Sequence, residues 1–105
     1  MAGTKQAAAT PGPWVAEPGT TTGRQVVAPN APKVKRVIAR LGGPDREANA
    51  HLIAAAPDLL GELKRMVEHF SAWANDHSDE ATTETWAALY CARAALAKAE
   101  GSSHD

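Results

Sequence analysis

The chain has little cysteine and no long apolar run. Cys91 is its only cysteine, so an intrachain disulfide is excluded. A lone thiol is typical of proteins that stay in a reducing compartment. No apolar stretch approaches the roughly 20 residues that cross a bilayer, and no hydrophobic segment of a secretory signal follows Met1. We therefore expect a cytoplasmic protein that does not contact a membrane.

An excess of charge of either sign is also missing. The chain has 11 basic and 12 acidic residues, whereas non-specific nucleic-acid binders usually carry a basic excess. A local basic site remains compatible with this balance. A length of 105 residues allows one domain with a thin core, which self-association commonly stabilises. We predict a single domain over residues 11–100 with disordered tails at 1–10 and 101–105, assembled as a homodimer or higher homo-oligomer.

Sequence patterns of catalysis and metal binding are lacking as well. There is no Gly-x-Ser-x-Gly motif, and no Gly-Lys-Ser/Thr follows the glycines at 42 and 43. Cys91 lies in a helical pattern, where cysteine is typically a small buried apolar residue. The chain is therefore predicted not to be an enzyme and to need no metal or cofactor. The histidines lack the short spacing of metal ligands: His51, His69, His77 and His104.

The N-terminal half favours β-strands. Residues 14–17, 24–28 and 33–41 are rich in β-forming side chains and are separated by Pro- and Gly-containing loops. Short loops between three short strands predict an antiparallel meander. If residues 33–41 are one strand, Arg36 and Arg40 share a face with Val34 and Ile38.

The C-terminal half favours helices. Asp45 is a candidate N-cap for a helix over residues 46–56, and Pro57 suits the start of a new helix. Apolar residues recur every three or four positions from 59 to 73, and a last helix is predicted over 80–100, ending at Gly101. Trp73 and Trp86 are expected to pack in the core. The fold class is α+β, a small antiparallel sheet of about three short strands followed by an antiparallel helix hairpin.

A basic stretch precedes the first predicted helix. Arg36, Arg40 and Arg46 lie where the third strand meets this helix, and arginine donates two hydrogen bonds to phosphate. The amides at the helix start would add donors for an anion. Asp45 and Glu47 oppose an anion unless they point away. The alternative is a solvated edge strand whose charges discourage aggregation.

Two segments resemble a widespread family of small phage and prophage proteins. They are residues 10–14 (TPGPW) and residues 47–60 (EANAHLIAAAPDLL). The predicted layout is also similar to that of the phage Thoeris anti-defence nucleotide sponges, which assemble into oligomers and sequester cyclic nucleotide immune signals without cleaving them. This comparison is a fold analogy.

The resemblance implies two alternative functions in the cytoplasm of a bacterial host. The first is a counter-defence binding protein that sequesters a cyclic nucleotide-like molecule. Its predicted ligand-binding residues are Arg36, Arg40, Arg46 and Asn49, of which Asn49 is the candidate for a base or ribose contact. The second is a protein–protein inhibitor of a host defence effector, of the anti-CRISPR type, with a flat or charged contact face.

Overall fold

A computed structural model describes residues 9–19 and 22–101 of the chain. They fall into two compact units, Met1–Asp58 and Leu59–Asp105. The predicted disordered tails lie outside the described residues, apart from Ala9, Thr10 and Gly101. None of the described helices is long and apolar enough to cross a membrane.

The first unit contains the predicted antiparallel sheet. Strands β1 (Val15–Pro18), β2 (Arg24–Val27) and β3 (Val37–Leu41) lie in the order β1-β2-β3. Both pairings are antiparallel, and the register places Val26 opposite Ala16 on one side and Ala39 on the other. The sequence prediction of a three-stranded meander is therefore confirmed.

The third strand is shorter than predicted, because Lys33–Lys35 forms a short 3-10 helix. The Lys35 amide donates to the Pro32 carbonyl at 2.8 Å, and the Arg36 carbonyl accepts from the Ala28 amide at 2.7 Å. Proline fixes its own φ near the helical value, which favours a turn directly after it. Arg36 therefore lies outside the strand, and the predicted strand alternation of residues 33–36 was wrong.

Helix α1 (Arg46–Ala54) packs on the sheet through small residues. Asp45 occupies the predicted N-cap position, but its side chain makes no capping hydrogen bond. The helix ends two residues earlier than predicted, and α2 (Ala56–Asp76) begins at once, with Pro57 in its first turn. Proline fits there because the first amides of a helix have no intrahelical acceptor. The buried apolar residues of this unit are Val26, Val27, Ala28 and Ala50.

The second unit contains the predicted antiparallel helix hairpin, built from α2 and α3 (Thr83–Ala99). Lys64 forms an ion pair with Glu100, and the Arg93 guanidinium donates to the Ser71 hydroxyl at 2.7 Å. Early residues of α2 thus meet late residues of α3, so the two helices run in opposite directions. In the described part of this unit, only Ala74 and Leu89 are buried.

Three residues that the sequence placed in the core are exposed. Trp73, Trp86 and Cys91 all keep substantial contact with solvent. Their positions on the helices explain the error. The side of α3 that faces α2 is marked by Leu89, and Cys91 and Trp86 lie off that side.

Helix α3 begins three residues later than predicted, because Thr82 is its N-cap. The Thr82 hydroxyl accepts from the Thr85 amide at 3.2 Å, whereas the amides of Glu80 and Ala81 donate to the His77 carbonyl in the preceding turn. The helix ends before Gly101, which has a φ of 79°. This left-handed conformation is the one for which glycine is favoured after a helix.

Removing this cap is expected to destabilise α3. We expect Thr82→Ala to lower the free energy of unfolding by about 1 kcal/mol, since one amide loses its acceptor. Thr82→Ser keeps the hydroxyl and should retain most of the stability. Urea denaturation of the three proteins measures the effect, and equal unfolding midpoints for Thr82→Ala and the wild type would contradict the capping role.

Candidate anion-binding cleft

An open cleft lies at the end of the sheet where β1 turns into β2. It has a volume of about 340 Å³, at the lower end of the roughly 300–1,000 Å³ that ligand pockets span. Its wall combines backbone of the turn with side chains of β2 and β3. The lining residues are Gly19, Thr22, Gly23, Arg24, Gln25, Arg40, Leu41 and Gly42.

The pairing of the strands places Arg40 in this cleft. Arg40 lies directly opposite Gln25, which in turn lies opposite Glu17. The Gln25 amide donates to the Glu17 carboxylate at 2.6 Å, so that carboxylate is engaged with its neighbour. Arg40 is exposed, and within the described residues its guanidinium makes no hydrogen bond or ion pair. Its donors are therefore available to a ligand.

A second arginine borders the same cleft. Arg24 pairs with Glu47 of α1, with 3.4 Å between the guanidinium and the carboxylate. The pair is partly exposed and so contributes little to stability. The ion pair mainly fixes the position of the Arg24 side chain. Glu47 restrains the guanidinium and leaves part of it in contact with solvent. The Arg24 side chain thus lies on the side of the sheet that α1 covers, whereas Arg40 shares the other side with Gln25.

Glycine at position 23 allows β2 and β3 to approach each other closely beside the cleft. A Cβ atom on Gly23 would lie 2.7 Å from the Leu41 carbonyl oxygen, closer than real Cβ contacts come. The Gly23 carbonyl also accepts from the Gly19 amide at 2.9 Å, which closes the turn between β1 and β2. The approach of β2 to β3 at this end of the sheet therefore depends on the missing side chain.

The residues predicted to form one site occupy separate surroundings. Arg40 lines the cleft, whereas Arg36 donates to the Ala31 carbonyl at 3.5 Å. Arg46 donates to the Gly43 carbonyl at 3.0 Å, and Asn49 is exposed on α1. No hydrogen bond or ion pair among the described parts of the chain joins any two of these four side chains. Across the β2–β3 pair, the structure places Arg40 opposite Gln25.

Arg24, Gln25 and Thr22 were missed as candidate site residues. The signal that finds them is the strand register, which brings residue 25 opposite residue 40. The sequence prediction gave three strands but no pairing between individual residues. Across residues 9–19 and 22–101, no group of three histidine, cysteine or acidic side chains is placed to hold a metal ion.

The chain was compared with known proteins. Over residues 1–103 it matches the family described as Salmonella phage P22 protein Y8K6. The search of curated proteins and the search of solved structures each gave no match. The match covers both segments that carry the resemblance to phage proteins, residues 10–14 and 47–60.

Proposed function

The chain belongs to the family of Salmonella phage P22 protein Y8K6, and we propose that it sequesters a cyclic nucleotide immune signal of the host without converting it. The observation that carries this proposal is Arg40, which lines the cleft and is exposed and without a partner among the described residues. A phage family supplies the setting in which capture of a defence signal is useful.

The cleft has the chemistry that a phosphate needs. The planar guanidinium of Arg40 can donate two parallel hydrogen bonds to phosphate oxygens. Gln25 and Thr22 offer further polar groups for a ribose hydroxyl. Because the cleft is small and open, it would enclose one phosphate and its sugar while the rest of the ligand extends outwards.

Binding without conversion is supported by the lining. The described lining residues include no histidine, cysteine or carboxylate, and these are the usual general bases and nucleophiles of phosphodiester chemistry. The nearest carboxylate that contacts a lining arginine is Glu47, which is paired with Arg24. A phosphate bound by Arg40 is neutralised and not attacked.

Calorimetry with cyclic dinucleotides, cyclic trinucleotides and cyclic ADP-ribose isomers tests the proposal. At least one of these compounds should bind, and Arg40→Ala should weaken it by about 1.5–3 kcal/mol, the value of a charge-assisted hydrogen bond. This loss corresponds to a roughly 10-fold to 150-fold higher Kd.

Arg36→Ala is the matched control, because Arg36 is an exposed arginine of the same unit that does not line the cleft. It should leave the affinity unchanged. An equal loss for Arg36→Ala and Arg40→Ala would contradict a site in the cleft. Absence of heat with every compound would overturn nucleotide capture itself, and the inhibitor hypothesis would then take its place.

A further inference from the structure

Helix α2 carries an apolar stripe that the described residues of the second unit leave uncovered. The stripe, called here the α2 seam, consists of residues that are spaced alternately four and three positions apart. Met66 in its middle is 67% exposed. The rings of Phe70 and Trp73 stack with their centroids 5.8 Å apart, and an open groove of about 500 Å³ runs beside them. The members of the α2 seam are Leu59, Leu63, Met66, Phe70 and Trp73.

The spacing of the α2 seam is that of a helix packed against another helix. Steps of four and three average 3.5 residues, which keeps a stripe aligned with a neighbouring helix over several turns. From residue 59 to residue 73 the seam spans roughly 21 Å at 1.5 Å per residue. The adjacent stripe of α2, which includes Val67, Ser71 and Ala74, already faces α3. Helix α2 is therefore apolar over an arc wide enough for two helical neighbours, and within the described residues of the second unit α3 is one of them.

The same face of the hairpin carries a row of small residues on α3. The row is Ala88, Cys91 and Ala95, all of them exposed. Each of these residues directly precedes, in sequence, a residue of α3 that faces α2. The residues of the α2 seam likewise directly precede residues of α2 that face α3. Because the helices are antiparallel, these two preceding rows lie on the same face of the hairpin.

We propose that a second copy of the chain covers this face, forming a four-helix bundle around a two-fold axis parallel to the helices. In this arrangement the α2 seam of each copy packs on the small row of α3 in the other copy. Every pair of adjacent helices is then antiparallel, as in up-down-up-down bundles. The face is self-complementary, as a two-fold interface requires, because it presents one bulky row and one small row side by side.

Side-chain size and burial favour a second copy in this orientation. Pairing α2 with its own copy would bring the two bulky rows against each other, whereas pairing α2 with α3 of the partner sets each bulky row against a small one. The hairpin also needs further burial, because only Ala74 and Leu89 are buried in its described residues. Isolated helices with so little packing are marginal in water.

Sedimentation equilibrium at micromolar concentration tests the bundle. The wild-type chain should be a dimer. Met66→Glu should shift it to monomer, because Met66 lies in the middle of the seam and is exposed in one chain. Circular dichroism of the same samples checks that the helices are retained.

A matched pair of alanines tests the partner surface on α3. Ala95→Glu alters the small row, whereas Ala94→Glu places the same side chain on an adjacent exposed alanine that points away from it. Ala95→Glu should give monomer and Ala94→Glu should remain a dimer. A monomeric wild type would overturn the proposal, and so would dimers that persist in Met66→Glu or Ala95→Glu. Occupation of the seam by a different protein would appear as a monomeric wild type.

Discussion

Replacing Leu89 with alanine is expected to lower the free energy of unfolding by about 2–5 kcal/mol. Leu89 is 1% exposed, and it is the largest fully buried side chain of the α2–α3 hairpin. Removing three carbon atoms from such a site loses their transfer free energy and leaves a cavity that the neighbours fill only in part. Few other buried side chains are available in the hairpin to compensate, so the effect should lie well above that of an average substitution.

Tyr90→Ala is the matched control, because the adjacent Tyr90 is 75% exposed on the same helix. Its effect on stability should stay within about 0.5 kcal/mol, as for other surface substitutions. Urea denaturation followed by circular dichroism at 222 nm measures both variants. Similar unfolding midpoints for Leu89→Ala and Tyr90→Ala would show that the hairpin does not pack through Leu89.

The second large effect is expected in the sheet. Val26 is completely buried in the central strand, between Ala16 and Ala39. Val26→Asp would place a carboxylate there with no cationic partner directly opposite on either neighbouring strand. An unpaired buried charge costs about 3–5 kcal/mol, which is comparable with the whole stability of a small unit. The first unit should therefore lose its sheet.

Val34→Asp provides the comparison, because Val34 is 92% exposed in the short 3-10 helix. The same substitution there should change stability by no more than about 0.5 kcal/mol. Amide hydrogen exchange of β2 separates the two cases, with protection lost in Val26→Asp and kept in Val34→Asp. Retained protection in Val26→Asp would contradict a core centred on Val26.

The element order could be predicted from the sequence because local signals agree along most of the chain. The apolar spacing from Leu59 onwards predicts α2, and Gly101 correctly marks the end of α3. The predicted element boundaries are wrong where the preference of one segment competes with that of a neighbouring residue. Pro32 precedes a 3-10 helix at residues 33–35, and Thr82 caps α3, so that this helix begins three residues after its predicted start.

Of the four residues predicted to bind a ligand, Arg40 lines the cleft, whereas Arg36, Arg46 and Asn49 do not. Because three of these residues are close in sequence to the point where the third strand meets the first helix, they were predicted to act together. Which residues lie close together in space depends instead on which residues face each other across the strands. The register of β2 with β3 decides this, and a one-residue shift of register would place the opposite set of side chains on the cleft face.

The exposed tryptophans illustrate the same limit. Trp73 has the helical spacing of a core residue, and a single chain nevertheless leaves it partly exposed. Periodicity shows that a helix face is apolar but does not show what covers it. In the proposed bundle the covering surface belongs to a second copy.

Native mass spectrometry of the protein purified from phage-infected cells tests nucleotide capture most directly. The expected result is a retained mass that matches an intact cyclic nucleotide, present on the wild type and on Arg36→Ala and lost from Arg40→Ala. Intact ligand distinguishes sequestration from hydrolysis, which would leave a linear product heavier by one water. A wild-type protein that carries no small molecule, or carries only a cleaved product, would contradict the proposed function.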